Sequence, residues 1–152
     1  MSKQVPDTFR IGIVCGKLGD VDGVSLEVEK WIKTLTELGH EVITFAGRYA
    51  AELPLVPAEK QILISEIRFG SPEQQEYEHQ VFPYLQDNPP HLSDEKREQI
   101  IDQLEQQGTI VANMLFDYIK RFSIDVIVAE NTNAMPMTLI GGMAIYKLAT
   151  WR

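Results

Sequence analysis

The sequence predicts an α/β domain in which a parallel sheet carries helices on both faces. Three observations predict it: short β-branched runs alternate with helical stripes, a glycine-rich loop joins the first run to the first stripe, and a Gly-His turn opens the second run. Phe9–Cys15 (FRIGIVC) is short, β-branched and apolar apart from Arg10, as expected of a strand buried on both faces. Gly16–Gly23 (GKLGDVDG) follows with three glycines, two aspartates and a lysine. A helix is expected from about Val24 to Leu38, with Val24, Val28, Trp31, Ile32, Leu35 and Leu38 on its apolar stripe. Gly39 supplies a left-handed C-cap, and a second strand runs over Glu41–Ala46. A glycine loop at a helix N-terminus leaves backbone N–H groups where the helix dipole favours anions, which points to a phosphate-bearing ligand.

The middle of the chain is less regular. Arg48–Lys60 reads as a loop, and Gln61–Phe69 as a third strand. Ser71 and Pro72 form an N-cap followed by proline at the first helical position. They open a polar helix over Glu73–Gln86 that Pro83 kinks or ends, and Pro89 and Pro90 break the chain before His91. Ser93-Asp-Glu starts a long helix with acids in its first turn. Its stripe is Ile100, Ile101, Leu104, Val111, Leu115, Tyr118, Ile119 and Phe122, with Gly108 as the weak point. A strand at Val126–Ala129, the polar loop Glu130–Pro136 and a final helix from about Pro136 complete the pattern. The pattern is Rossmann-like.

The chain has 152 residues, enough for one domain with a real core. Its 14 basic and 22 acidic residues give −8, which argues against nucleic acid or an anionic membrane as partner. Cys15 is the lone cysteine, so an internal disulfide is excluded; its position at a strand end suits a packed thiol. No apolar leader is visible, and the run Ala134–Tyr146 is too short to span a bilayer, so the expected compartment is the cytoplasm. The helical pattern continues to Thr150-Trp151-Arg152, as expected of a piece of a longer protein or half of a two-domain one.

Several sites compete. Gly16, Gly19 and Gly23 either make a tight turn or let backbone approach a ligand. Lys17 is a diphosphate partner or a solvated lysine. Asp22 either caps the helix or contacts sugar hydroxyls. Glu130 ends a strand on the side where open α/β sheets bind ligands; it accepts hydroxyls or caps the next turn. Asn131 and Asn133 both donate and accept, which suits a hydroxyl-rich acceptor. His40 belongs to a turn, His79 to a polar helix and His91 to a loop. These three are widely spaced with no cysteine cluster, so no metal site can be argued. A nicotinamide fingerprint fails: the glycines stand at 16, 19 and 23, and no acid closes the second strand. Arg48 there leaves a narrow case for a 2′-phosphate cofactor. No P-loop pattern is present, and no acidic pair of a phospho-receiver follows the first strand.

Three stretches carry a family likeness: Ile11–Gly16 with Asp22–Ser25, Leu38–Thr44, and Asp125–Asn131 through Pro136 to Ala144. Together they resemble the N-terminal half of a GT-B glycosyltransferase, most like the family 4 retaining group. The resemblance implies a two-domain enzyme whose N-terminal domain receives a small-molecule acceptor and whose C-terminal domain holds most of a nucleotide-sugar donor. By it, Gly16, Lys17 and Gly23 lie at the donor diphosphate, and Glu130, Asn131 and Asn133 line the acceptor pocket. No cofactor beyond the donor substrate is implied. The family's paired-glutamate donor segment belongs to the second domain and is not in this sequence, so the chain alone is expected to be inactive. Two further readings stay open. One is a non-catalytic α/β module that binds a ligand or partner. The other is self-association through the last helix, whose Met135, Met137, Ile140, Met143 and Tyr146 flank Gly141 and Gly142.

Overall fold

A computed structural model describes residues 8–82, 87, 91–134 and 136–151. The expected breaks at Pro83, Pro89 and Pro90, Met135 of the last apolar stretch, and Arg152 lie outside them. Four strands, β1 (Arg10–Cys15), β2 (Glu41–Ala46), β3 (Gln61–Leu63) and β4 (Val126–Glu130), form one parallel sheet in the order β3-β2-β1-β4. The helices are α1 (Gly23–Glu37), α2 (Pro72–Val81), α3 (Asp94–Phe122) and α4 (Leu139–Thr150).

The alternation of side chains along β1 and β2 divides the core in two. Ile11, Ile13 and Cys15 of β1, with Val42 and Ala46 of β2, face α1 through Val28 and Ile32. Val14, Ile43 and Phe45 face the other way, onto α2, α3 and α4. Helices therefore cover both faces, as the sequence predicts. Gly12 is on the second face, where a methyl group would lie 2.7 Å from the Ile127 side chain, so glycine leaves the space that the side chains of Ile127, Ile124 and Phe45 fill.

Caps fall where the sequence places them. Ser71 and Ser93 accept from the amides of Gln74 and Lys96, and Gly39 takes the left-handed conformation (φ +87°) after α1. The C-terminal end of α1 is looser than its stripe suggested: Leu38 is 65% exposed because it is the cap residue and has left the packed turn.

Three expectations change. The third strand stops at Leu63; Ile64 and Ile67 turn inward through a short 3-10 segment at Ser65–Ile67 and bury completely. Burial of these two isoleucines competes with continuing an outer strand, and it wins. Ile101, expected on the α3 stripe, is 54% exposed, so the packed stripe starts at Ile100 and continues through Leu104. Gly108 is not a weak point but a contact. A methyl there would lie 2.4 Å from Met143 Cγ, and its absence lets α3 and α4 cross closely.

Candidate functional site

β1, β2 and β4 end level. Cys15 is in register with Ala46 on one side and Glu130 on the other. From this shared rung the chain leaves β1 toward α1 on one face and leaves β4 toward α4 on the opposite face. Strand order reverses between β1 and β4, so the loops after them diverge and define, at the C-terminal edge, the topological crevice position at which open α/β sheets bind ligands. Residues 16–22 lie on one side of it, and residues 130–134 and 136–138 on the other.

The first wall is closed by its own charges. Lys17 Nζ is 2.9 Å from Asp22 Oδ2 and 3.2 Å from Asp20 Oδ2. Asp22 is also the N-cap of α1: its Oδ1 accepts from the amides of Val24 and Ser25, both at 3.0 Å, and its Oδ2 accepts from the Ser25 hydroxyl at 3.1 Å. The Ser25 amide first, and then Lys17, hold the Asp22 carboxyl down at about 2. Reciprocally, Asp22 and then Asp20 push the Lys17 ammonium up. Asp22 therefore settles as the helix cap. The amides an anion would use already have a carboxylate, and the Lys17–Asp20–Asp22 triad carries a net formal charge of −1.

The three glycines of this loop serve different ends. A methyl on Gly16 would lie 2.0 Å from Cδ1 of Phe69, so the bare backbone of Gly16 is the floor on which that half-buried ring lies. Gly19 has φ +72° and faces the Ala51 backbone. Gly23 is exposed with open space beside its Cα. Gly16 and Lys17 thus lie at the crevice, whereas Gly23 has already entered α1.

On the second wall, Glu130 ends β4 beside Cys15, whose thiol is pushed up to about 11, by burial first and by the negative charge of Glu130 to a lesser degree. Asn131 takes a left-handed conformation (φ +55°), a turn that asparagine tolerates. The Thr132 hydroxyl donates to Asn133 Oδ1 (2.9 Å), and Asn133 Nδ2 donates to the Gly142 carbonyl (3.1 Å). Asn133 consequently ties the loop to α4, and Glu130 and Asn131 remain nearer the crevice. Thr138 caps α4 by accepting from the Gly141 amide. The buried Gln74 accepts from the Leu139 amide and donates to the Glu66 carbonyl, joining α2 to both ends of the site.

Sequence reasoning did not single out Arg68 and Phe69. A methyl on Gly47, just past β2, would lie 2.3 Å from both Cα and N of Arg68, so residues 67–69 cross directly over the end of β2. Phe69 N–H donates to the Gly16 carbonyl (3.3 Å), and Leu18 N–H to the Arg48 carbonyl (2.9 Å). The loops after β1, β2 and β3 are thereby joined into one rim.

His40 is structural, as expected: its Nδ1 accepts from the Phe9 amide (3.2 Å) and its ring lies 5.6 Å from that of Phe9. Among the described residues no three His, Cys, Asp or Glu side chains gather as a metal site, and no helix is long and apolar enough to cross a membrane.

No family model and no solved structure matches the chain. It is 28% identical over 140 residues, 92% of its length, to mannosylglucosylglycerate synthase of Thermotoga maritima. The match spans 29% of the length of that relative.

Proposed function

We propose that this chain is the acceptor-side domain of a two-domain glycosyltransferase that moves a sugar from a nucleotide-diphosphate donor to a hydroxyl acceptor with retention. The likeness across nearly the whole chain to a synthase of a mannosyl-glucosyl-glycerate carries the reading. The position between the loops that leave β1 and β4, at the reversal of strand order, supports it as the place where an acceptor sits. Because the match spans 29% of the relative, a second domain that holds the donor belongs to the same proposal.

In this reading the acceptor oxygen forms a bond to the anomeric carbon as the bond from that carbon to the donor phosphate breaks, and the hydroxyl proton passes to the departing phosphate oxygen. Glu130 and Asn131 offer acceptors and donors for the acceptor's hydroxyl groups. Charge growing on the departing diphosphate is stabilised by fixed N–H groups and cations, chiefly those of the second domain. Lys17 joins them only if the diphosphate displaces Asp20 or Asp22 from it.

That pairing also favours a second reading, a non-catalytic α/β module. In this reading Lys17 simply fastens the first loop, and no donor approaches it.

The deciding experiment incubates the complete gene product with GDP-mannose and glucosylglycerate and follows release of GDP and the new glycosidic proton by NMR. Release that requires both compounds, with the donor's anomeric configuration kept, supports the transferase. A folded gene product that releases no nucleoside diphosphate above the no-acceptor control, neither GDP from this pair nor UDP from UDP-glucose and glycerate, refutes it and leaves the module.

A further inference from the structure

Helix α2 buries two side chains, Gln74 and Tyr77, and the first is an amide only 1% exposed. An apolar side chain there would bury without the cost of desolvating an amide, so the polar residue needs a reason. The neighbouring backbone supplies it. The Leu139 N–H belongs to the first turn of α4 and has no partner inside its own helix. The Glu66 carbonyl is left over by the turn at Ser65–Ile67, whose bonds run from Ile67 to Ile64 and from Arg68 to Ser65. One side chain serves both: Gln74 Oε1 accepts from Leu139 N–H and its Nε2 donates to the Glu66 carbonyl, each at 3.0 Å.

Both backbone groups belong to segments that frame the crevice position. Residues 66–69 cross the end of β2 and reach the loop after β1, where Phe69 N–H donates to the Gly16 carbonyl and the Phe69 ring lies on Gly16. Leu139 follows Thr138, whose buried hydroxyl caps α4 and ends the connection that leaves β4 at Glu130. The two segments also touch directly, since a methyl on Gly141 would lie 3.4 Å from Ile67 Cβ. We propose that Gln74 is a positioning residue of the crevice. By holding residues 66–69 and the start of α4 at a fixed separation, it sets where Glu130 and Asn131 stand relative to Gly16 and Phe69. Being buried, it touches no ligand and acts through those residues. Its loss leaves a donor on one segment and an acceptor on the other without their protein partner, so the two loosen together. The inference rests on the acceptor-side reading for its kinetic consequence; the holding of the two segments stands apart from that reading.

The test compares the complete gene product with Gln74→Met, which keeps the length of the side chain and removes both hydrogen bonds. Leu139→Pro removes only the N–H, at a first helical position where proline is tolerated. Ile32→Val, in the core on the α1 face, controls for a general loss of stability. Hydrogen exchange is read peptide by peptide. In Gln74→Met it should rise by on the order of tenfold both in residues 64–69 and at the start of α4, with β1 and α1 unchanged. Ile32→Val should not produce that pattern. In the transfer assay, Gln74→Met should raise the acceptor KM by on the order of tenfold and leave the donor KM as it was. Leu139→Pro should act in the same direction and add little to Gln74→Met, so it carries the test if Gln74→Met does not fold. Faster exchange in neither segment, in one alone, or equally throughout the protein would overturn the proposal. So would an active enzyme whose acceptor KM is unchanged or rises together with the donor KM. The two readings fail separately: a wild type that transfers nothing removes the transferase, and the exchange pattern still decides whether Gln74 holds the two segments.

Discussion

Gly47→Ala should be among the most damaging single-methyl additions in this protein. The added carbon would sit 2.3 Å from Cα and N of Arg68 and 2.6 Å from the carbonyl carbon of Ile67. All three are backbone atoms, so no rotamer change relieves the overlap. The segment that must withdraw carries Ile64 and Ile67, both fully buried against the α4 side of the core. Overpacking alone costs about 1–3 kcal/mol, and partial re-exposure of two isoleucines adds about 1–2 kcal/mol more, so a loss of roughly 2–5 kcal/mol is expected. Gly16→Ala provides the contrast. Its methyl would meet only the ring of Phe69, which is half-buried and can swing outward, at a cost of about 1 kcal/mol. Gly23→Ala meets nothing and should be neutral or stabilising by a few tenths of a kcal/mol at the start of α1.

Urea unfolding followed by far-UV circular dichroism ranks the three variants by midpoint. A double-mutant cycle with Phe69→Ala then separates packing from ligand approach at Gly16. If glycine is there for the ring, the cost of Gly16→Ala disappears once the ring is removed. A Gly47→Ala protein within about 0.5 kcal/mol of wild type, the scatter of an ordinary surface substitution, would refute the crossing of residues 67–69 over β2.

The other predictions are narrower. Gly108→Ala, which in a free helix would stabilise by about 1 kcal/mol, should lower Tm because the methyl meets Met143 at 2.4 Å. Asp22 titrates at about 2 against an ordinary 3.8, so the stabilisation its charge contributes is complete above pH 4 and is lost as pH falls through 2. Asp22→Asn keeps a capping oxygen, so the stability gap between wild type and variant should close over that window, and a gap independent of pH would contradict the Lys17 pairing. Cys15 is fully buried and its thiol is pushed up to about 11, so a thiol reagent at pH 8 should label the native protein slowly and the urea-unfolded protein at once.

Elements that announce themselves locally were legible in the sequence. β1, β2 and β4 are apolar runs bounded by glycine, asparagine or acids, and α1 and α3 show helical stripes with serine, aspartate or glycine at their ends. The pairing of Lys17 with Asp20 and Asp22 is within reach of such reading too, since all three share one short loop. What failed depends on contacts between distant residues. Nothing in Ile62-Leu-Ile64 signals that the strand ends there; the reason is the core pocket that Ile64 and Ile67 fill. Gly108 looks like a helix defect until Met143, 35 residues away, is set against it, and nothing near Gly16 in sequence announces the ring of Phe69, 53 residues on. Arg68 is unremarkable in sequence for the same reason, because only the bare Cα of Gly47 brings its backbone over the end of β2.

The charge pattern of the rim follows from that geometry and constrains any ligand. Helix α1 opens with Asp22 on its amides and Lys17 on Asp22, so the familiar anion position at the first helix is electrically satisfied. An anion placed there must either displace a carboxylate that titrates at about 2 or remain beside a triad of net charge −1. At the end of β2 the balance differs: Arg48 and Arg68 are both exposed, and no described carboxylate lies within ion-pair distance of either, so the cations of this edge stand on the β2 side of the α1 terminus.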